Sequence, residues 1–295
     1  MDRSSTSSAL DAVRLSRLME LTLGSAEIVI GLIDGPVVNH PDLAIENVRL
    51  VPSTMAVPTE RETGPAHAHG TYVAGILSAR RGSPAPAICP GCILIVRPIF
   101  IERASRGADT PNASPSELAD AIVDCIKAGA RILNLSVALA LPSPNREPKL
   151  EHALDHAAAR GTIVVTAAGN QGTLGSSAIS RHPWVVPVGA CDLAGKPVAA
   201  SNLGSSIARR GLMAPGDAVT SLGTNAQPVT SGGTSAAAPF VTGAIALLMS
   251  LFRQANPAEV KSAVTRTDLR RTSVVPPLLN AWAAYQLMAN RRGQR

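Results

Sequence analysis

The chain has 295 residues, 45% of them hydrophobic and 16% charged; this is the composition of a globular protein with a sizeable core, and it excludes intrinsic disorder. Aromatic residues make up only 2%, so the core has to be built from Ala, Val, Leu and Ile, and the stacking surfaces of a nucleic-acid binder are missing. The formal charge of +6 is spread along the chain apart from Arg291, Arg292 and Arg295, which fits a weak attraction to an acidic peptide better than binding to nucleic acid.

Residues 1–8 are polar and lack the basic start and apolar run of a signal peptide. The apolar run 240–252 is too short and too rich in small residues for a membrane span. Four cysteines, Cys89, Cys92, Cys125 and Cys191, suit a reducing compartment better than a disulfide scaffold. The expectation is a cytoplasmic protein with no membrane and no nucleic-acid partner.

Residues 7–22 are expected to form one amphipathic helix, with Leu10, Val13, Arg14, Leu18 and Leu21 marking an imperfect apolar stripe and Gly24 ending it. Residues 1–26 are therefore read as an N-terminal helical segment and 27–295 as a single domain. The β-branched run Glu27-Ile28-Val29-Ile30-Gly31-Leu32-Ile33 reads as a central parallel strand. Asp34 follows at its C-terminal end, where open α/β sheets build their sites; Asp34-Gly35 also reads as a plain turn. Residues 39–68 are loop-rich, with Pro41, Pro52, Pro58 and Pro65. A small-residue helix then opens around His67-Ala68-His69-Gly70-Thr71. Near a helix N-terminus His69 is discouraged from holding a proton, which suits a general base; it equally suits a polar helix-entry residue. His67 and His69 have no third ligand at metal-binding spacing.

Cys89-Pro90-Gly91-Cys92 precedes a strand at 93–99. It reads as a tight turn with two free thiols, with a redox pair or half a zinc site as alternatives. Residues 114–129 form a helix with Ser114 as N-cap, Pro115 at the first position and Glu117 completing a capping box. A strand at 131–136, a Pro-rich loop and a helix at 149–160 follow, with His152 and His156 on a solvated face and Gly161 as the stop. The strand at 162–166 runs into Ala167-Ala168-Gly169-Asn170, and another strand spans 184–190. Residues 191–230 read as turns and short extended pieces. Ser235 then stands at the entrance of an apolar helix, its amide among the unpaired N–H groups of the first turn. It reads as a nucleophile or as an ordinary N-cap. Asn256-Pro257-Ala258-Glu259 is a second capping box, and a last helix covers about 280–291. Strands alternate with helices, so the fold class is α/β, three layers around a mainly parallel central sheet.

Asp34 and Asn170 follow strands, and His69 and Ser235 open helices. An acid, a base and a nucleophile are the groups acyl transfer requires. The set resembles the subtilisin-like serine proteases, the subtilases. His69-Gly70-Thr71-Tyr72-Val73-Ala74-Gly75, Ala167-Ala168-Gly169-Asn170 and Gly233-Thr234-Ser235-Ala236-Ala237-Ala238-Pro239 are close to the family's motifs, and a strand ending in Asp34-Gly35 precedes them. The resemblance runs from about residue 28 to 251 and implies a subtilisin-like fold and a serine endopeptidase. It implies Ser235 as nucleophile, His69 as base, Asp34 as its orienting acid, and Asn170 with the Ser235 N–H as oxyanion donors. It also implies that Ser136, Val137, Ala138 and Gly169 bind the substrate peptide. Subtilases often bind calcium in loops, but no Asp and Asn cluster stands out here, and no cofactor is expected.

The chain departs from the family at Gly35-Pro36, where a small hydroxylated residue and a glycine are usual. Ala236 replaces a common methionine, and Ala138 a usual glycine. No N-terminal prodomain is recognisable, which points to an intracellular enzyme or one domain of a larger product. Residues 87–100 and Asp34-Gly35-Pro36-Val37 resemble the subtilases that mature cyanobactins. The expected partner is thus a ribosomally made precursor peptide. Other readings are an inactive peptide-binding or scaffolding subunit, which has no need to keep all four site residues, and a broad-specificity intracellular protease. Arg146 and Lys149 beside few acids argue against a pocket built for a basic side chain.

Overall fold

The computed structural model describes residues 3–51, 64–100, 114–136, 146–266 and 273–293. The β-branched run that opens at Ile28 becomes the middle of a seven-stranded sheet. Strand β1 (Val29–Asp34) pairs in parallel with β3 (Ile93–Pro98) on one side and β4 (Ile132–Leu135) on the other. Strand β2 (Val48–Leu50) adds beyond β3, and β5 (Ile163–Ala167), β6 (Val185–Cys191) and β7 (Leu212–Pro215) add in turn beyond β4, giving the order β2-β3-β1-β4-β5-β6-β7. Every residue of β3 to β7 is buried, as expected of a parallel sheet covered on both faces. The chain winds from β1 to one side and then crosses to the other, so β1 lies at the point where strand order reverses.

One face is covered by α3 (Pro65–Ser78) and α8 (Thr234–Leu251), with α1 (Arg3–Ala12), α2 (Leu15–Leu21), α9 (Pro257–Thr265) and α10 (Ala281–Gly293) outside them in the same apolar cluster. The other face is covered by α4 (Pro115–Lys127) and α5 (Pro148–Arg160), joined by the short α6 (Ala178–Arg181). A two-stranded antiparallel ribbon, β8 (Val219–Leu222) and β9 (Pro228–Ser231), leads into α8. Helix α8 is 18 residues long and apolar enough to cross a membrane by length and composition, and longer than the run read from the sequence, but it is 89% buried inside the fold. Its alanines let it lie close against β4, β5, β6 and β7.

Three expectations change. The helix expected over 7–22 breaks at Arg14, which is left-handed at φ 58. Val13 and Leu15 would point to opposite sides of one straight helix; the break lets both reach the core, where both are fully buried. Helix α3 starts at Pro65 rather than near residue 67. Residues 191–230 hold more than turns: α7 (Ser205–Arg210) packs on β6, and β7 completes the sheet. At six and four residues, these elements are too short to carry a period of their own. The helices at 114–129 and 149–160 form as expected, the first with its complete Ser114–Glu117 capping box and the second ending on left-handed Gly161.

Candidate active site

Asp34 is the last residue of β1 and is fully buried. Its Oδ1 accepts the Gly35 N–H at 2.6 Å and lies 2.6 Å from His69 Nδ1. Its Oδ2 is buried and has no hydrogen-bond partner among the described residues. The Gly35-Pro36 departure has a steric cause. A Cβ on Gly35 would stand 2.0 Å from the Ala66 carbonyl oxygen, and one on Gly70 would stand 2.4 Å from the carbonyl oxygens of Gly35 and Pro36. The chain leaving β1 therefore presses directly on the first turns of α3, and that contact brings Asp34 and His69 together.

His69 Nε2 lies 3.0 Å from Ser235 Oγ. A carboxylate only accepts, so the proton of the neutral ring sits on Nδ1, and Nε2 offers its lone pair to the Ser235 hydroxyl. The negative charge of Asp34 raises the His69 pKa above the ordinary histidine range, against the opposing effect of burial and with help from the hydrogen bond between the two. This corrects the expectation that the helix start disfavours the protonated ring. His69 is the fifth residue of α3, beyond the first turn where the helix dipole acts, whereas the carboxylate is in direct contact.

Ser235 is the second residue of α8, and the N-cap is Gly233, which has no side-chain cap bond to give. The serine is therefore not a cap. Around it the first-turn N–H groups are mostly used: Thr234 donates to Asn170 Oδ1 at 2.8 Å, and Ala236 and Ala237 donate to the Gly233 carbonyl at 3.1 and 3.3 Å. The Ser235 N–H has no partner among the described residues.

Asn170 stands exposed just past β5. Its Oδ1 accepts both the Thr234 N–H and the Thr234 hydroxyl, the latter at 3.0 Å. A backbone N–H can only donate, so this contact identifies Oδ1 and leaves Nδ2 on the far side. Gly233, at φ +108, leaves room for the carboxamide: a Cβ there would lie 3.0 Å from Nδ2. Gly169, at φ +105, donates its N–H to Thr234 Oγ1 at 3.1 Å. Ser136 follows β4, buried, and its Oγ accepts from Asn134 Nδ2 at 2.8 Å. Val137 and Ala138 lie outside the described residues.

The structure thus brings together Asp34, His69, Ser235, Asn170 and Gly169. It adds residues that sequence patterns passed over. Thr234 links Gly169 to Asn170. Asn134 Oδ1 accepts from Thr242 Oγ1 at 2.8 Å, joining the buried side of β4 to α8. The Tyr72 hydroxyl donates to the Val219 carbonyl at 2.8 Å and the Ser231 carbonyl at 3.2 Å, tying α3 to the ribbon before α8; burial raises its pKa, so it stays a donor. Adjacency to Ser235 was the one available signal, for Thr234. The four cysteines are free and buried. Cys89 and Cys92 form the expected tight turn, with Cys92 N donating to the Cys89 carbonyl at 3.0 Å. Among the described residues no group of three or more His, Cys, Asp or Glu side chains could hold a metal ion. His152 and His156 are exposed on α5.

A parallel α/β sheet whose strand ends and helix starts bring an aspartate, a histidine and a serine into one line of contacts defines the class, a subtilisin-like serine endopeptidase. The chain belongs to the subtilase family, whose family model matches residues 25–284. It is 30% identical over 270 residues to subtilisin BL of Lederbergia lenta, covering 89% of this chain and 92% of that one. It is 31% identical over 252 residues to the thermophilic serine proteinase of Bacillus sp. (strain AK1), covering 84% of this chain and spanning only 58% of that longer relative. Among solved structures it is similar to a mutant of the protease domain of PatA, with a TM-score of 0.81 and 29% identity over 91% of this chain and 97% of the other. It is also similar to the prenylagaramide maturation protease PagA, with a TM-score of 0.79 and 28% identity over 92% and 97%. These two structures agree with the narrower resemblance carried by residues 34–37 and 87–100.

Proposed function

We propose that this subtilase cuts a ribosomally made precursor peptide through an acyl-enzyme, with Ser235 as nucleophile. The observation that carries the reading is the position of His69, 2.6 Å from Asp34 and 3.0 Å from Ser235. Ser235 Oγ attacks the scissile carbonyl as His69 Nε2 takes its proton. Asp34 holds the ring in the Nδ1–H form and stabilises the imidazolium. The carbonyl oxygen, now an oxyanion, accepts from Asn170 Nδ2 and the Ser235 N–H. His69 then passes its proton to the leaving amine, and water repeats the sequence on the ester. Ser136, with Val137, Ala138 and Gly169, lines the substrate backbone. The similarity to PatA and PagA supports a precursor peptide as substrate. A cytoplasmic setting belongs to the same reading and is supported by four thiols left unpaired.

The test has two parts. A fluorophosphonate probe labels the wild type and not Ser235→Ala; equal labelling of both overturns the assignment. Candidate precursors encoded near this chain's gene are then offered beside casein. Selective cleavage of a precursor is expected, and indiscriminate cleavage of both favours a broad-specificity protease.

A further inference from the structure

Asn202 follows β6 and is buried, with 8% of its surface exposed. Its Oδ1 accepts three hydrogen bonds, from Gln171 N at 3.0 Å, Thr173 N at 3.1 Å and Thr173 Oγ1 at 3.1 Å. Its Nδ2 donates to the Ala168 carbonyl at 3.2 Å and to Gln171 Oε1 at 2.6 Å. Its own N–H donates to the Gly169 carbonyl at 2.9 Å. The two backbone N–H donors fix which end of the carboxamide is oxygen. All the polar capacity of this side chain, both Nδ2 hydrogens and both lone pairs of Oδ1, which three donors share, is therefore spent on one turn, residues 168–173, and on both sides of Asn170.

That turn needs outside support. Gly169 and Gly172 lie in the left-handed region, at φ +105 and +63, and a Cβ on Gly172 would stand 2.9 Å from the Ala199 carbonyl oxygen. Gly172 N donates to the Ala200 carbonyl at 2.8 Å, so the segment that carries Asn202 also holds the one position Asn202 does not reach apart from Asn170. The support is itself anchored. Ser201 Oγ accepts from Ala190 N on β6 at 3.1 Å, and Leu203 N donates to the Thr173 carbonyl at 3.0 Å.

We infer that Asn202 is a positioning residue for the oxyanion donor Asn170. Asn202 fixes the backbone on either side of Asn170, and Thr234 fixes the oxygen end of its carboxamide, so Nδ2 projects from a frame set before substrate arrives. A donor of this kind is effective because it does not reorganise during the reaction, and small displacements weaken it steeply. Removal of Asn202 leaves two backbone N–H groups and a hydroxyl in the turn without their acceptor, and the turn relaxes around Asn170. The inference rests on the reading of Asn170 as an oxyanion donor.

The test compares Asn202→Ala, Asn170→Ala and the double variant on one peptide substrate, with a melting curve for each and assays run well below every midpoint. Asn170→Ala is expected to lower kcat on the order of 10²–10³-fold. Asn202→Ala is expected to lower kcat about tenfold with KM within about twofold, because it displaces a donor that acts in the transition state. The double variant should match Asn170→Ala, since a misplaced donor that has already been removed costs nothing more. Full kcat in Asn202→Ala overturns the inference, and so does a tenfold loss repeated in the Asn170→Ala background, which is what damage elsewhere produces. Unchanged kcat in Asn170→Ala alone overturns the reading of Asn170 instead. If Asn202→Ala does not fold, Asn202→Ser, which keeps one acceptor for the turn, is read by the same comparison.

Discussion

Helices α4 and α8 treat their first turns in opposite ways. At α4 the loop is closed: Ser114 Oγ accepts the Glu117 N–H at 3.1 Å, and Glu117 Oε2 accepts the Ser114 N–H at 2.7 Å. The same reciprocal arrangement closes α6 with Ser177 and Ser180 and α9 with Asn256 and Glu259. At α8 the N-cap is a glycine and the serine comes two residues later, so its hydroxyl turns to His69 and its N–H has no partner among the described residues. A cap satisfies the helix with its own side chains. An uncapped start leaves N–H donors pointing at whatever anion arrives. The site is built at a helix start that, like those of α2, α3, α5 and α7, has no side-chain cap, and at α8 Asn170 takes up the Thr234 N–H that a cap would otherwise have served.

The contrast breaks first at Ser235. Ser235→Ala is expected to lose about 10⁶ in kcat, with a melting temperature close to wild type. A variant that kept turnover near the wild-type level would remove the Ser235 hydroxyl from the chemistry. Asp34→Asn comes next, with a loss on the order of 10⁴ in kcat at neutral pH, because the ring is no longer held in the Nδ1–H form. It also moves a pH profile. The Asp34 charge is the main cause of the raised His69 pKa, so the acid limb of kcat/KM lies above the ordinary histidine value in the wild type and falls in the variant. For stability the direction is that of a histidine gaining an anionic partner. The increment is fully present below the unfolded-state value and is lost as pH rises through the raised folded value. Denaturant titrations of the two proteins across that window read it out.

Gly233→Ala tests the glycine cap itself. A Cβ at φ +108 is strained by about 1–2 kcal/mol and meets Asn170 Nδ2 at 3.0 Å. Stability should fall by that amount, and kcat about tenfold as Asn170 is pushed aside; loss of stability with full kcat would separate the cap from the site. The smallest effect is at the closed helix. Ser114→Ala is expected to cost about 1 kcal/mol in denaturant unfolding and to leave kcat unchanged. A change in kcat there would mean that α4 is coupled to the site across the sheet.

Most of the site was legible because each of its residues sits at a place that sequence patterns mark. Asp34 ends a β-branched run and Asn170 follows one, Ser235 opens a small-residue helix and His69 lies in the second turn of another, and the motifs around them match those of one family. The elements in 191–230 were not legible. α7 and β7 are too short for a hydrophobic period, and β7 exists because β6 offers it an unpaired edge. Asn202 lies in that same stretch. In sequence it is an ordinary turn residue, and its partners are 29 to 34 residues away along the chain.

The sequence by itself determined the fold class, because period, helix starts and strand ends are local properties, and its contiguous motifs, through their resemblance to one family, pointed to the four proposed site residues. Only the tertiary structure decided how those residues are charged and held. The His69 proton answers to a carboxylate 35 residues away in sequence and 2.6 Å away in space. The Asn170 donor answers to Thr234 on one side and Asn202 on the other. Electrostatic and hydrogen-bonding energies depend on separation in space, and separation in space is what a linear sequence does not contain.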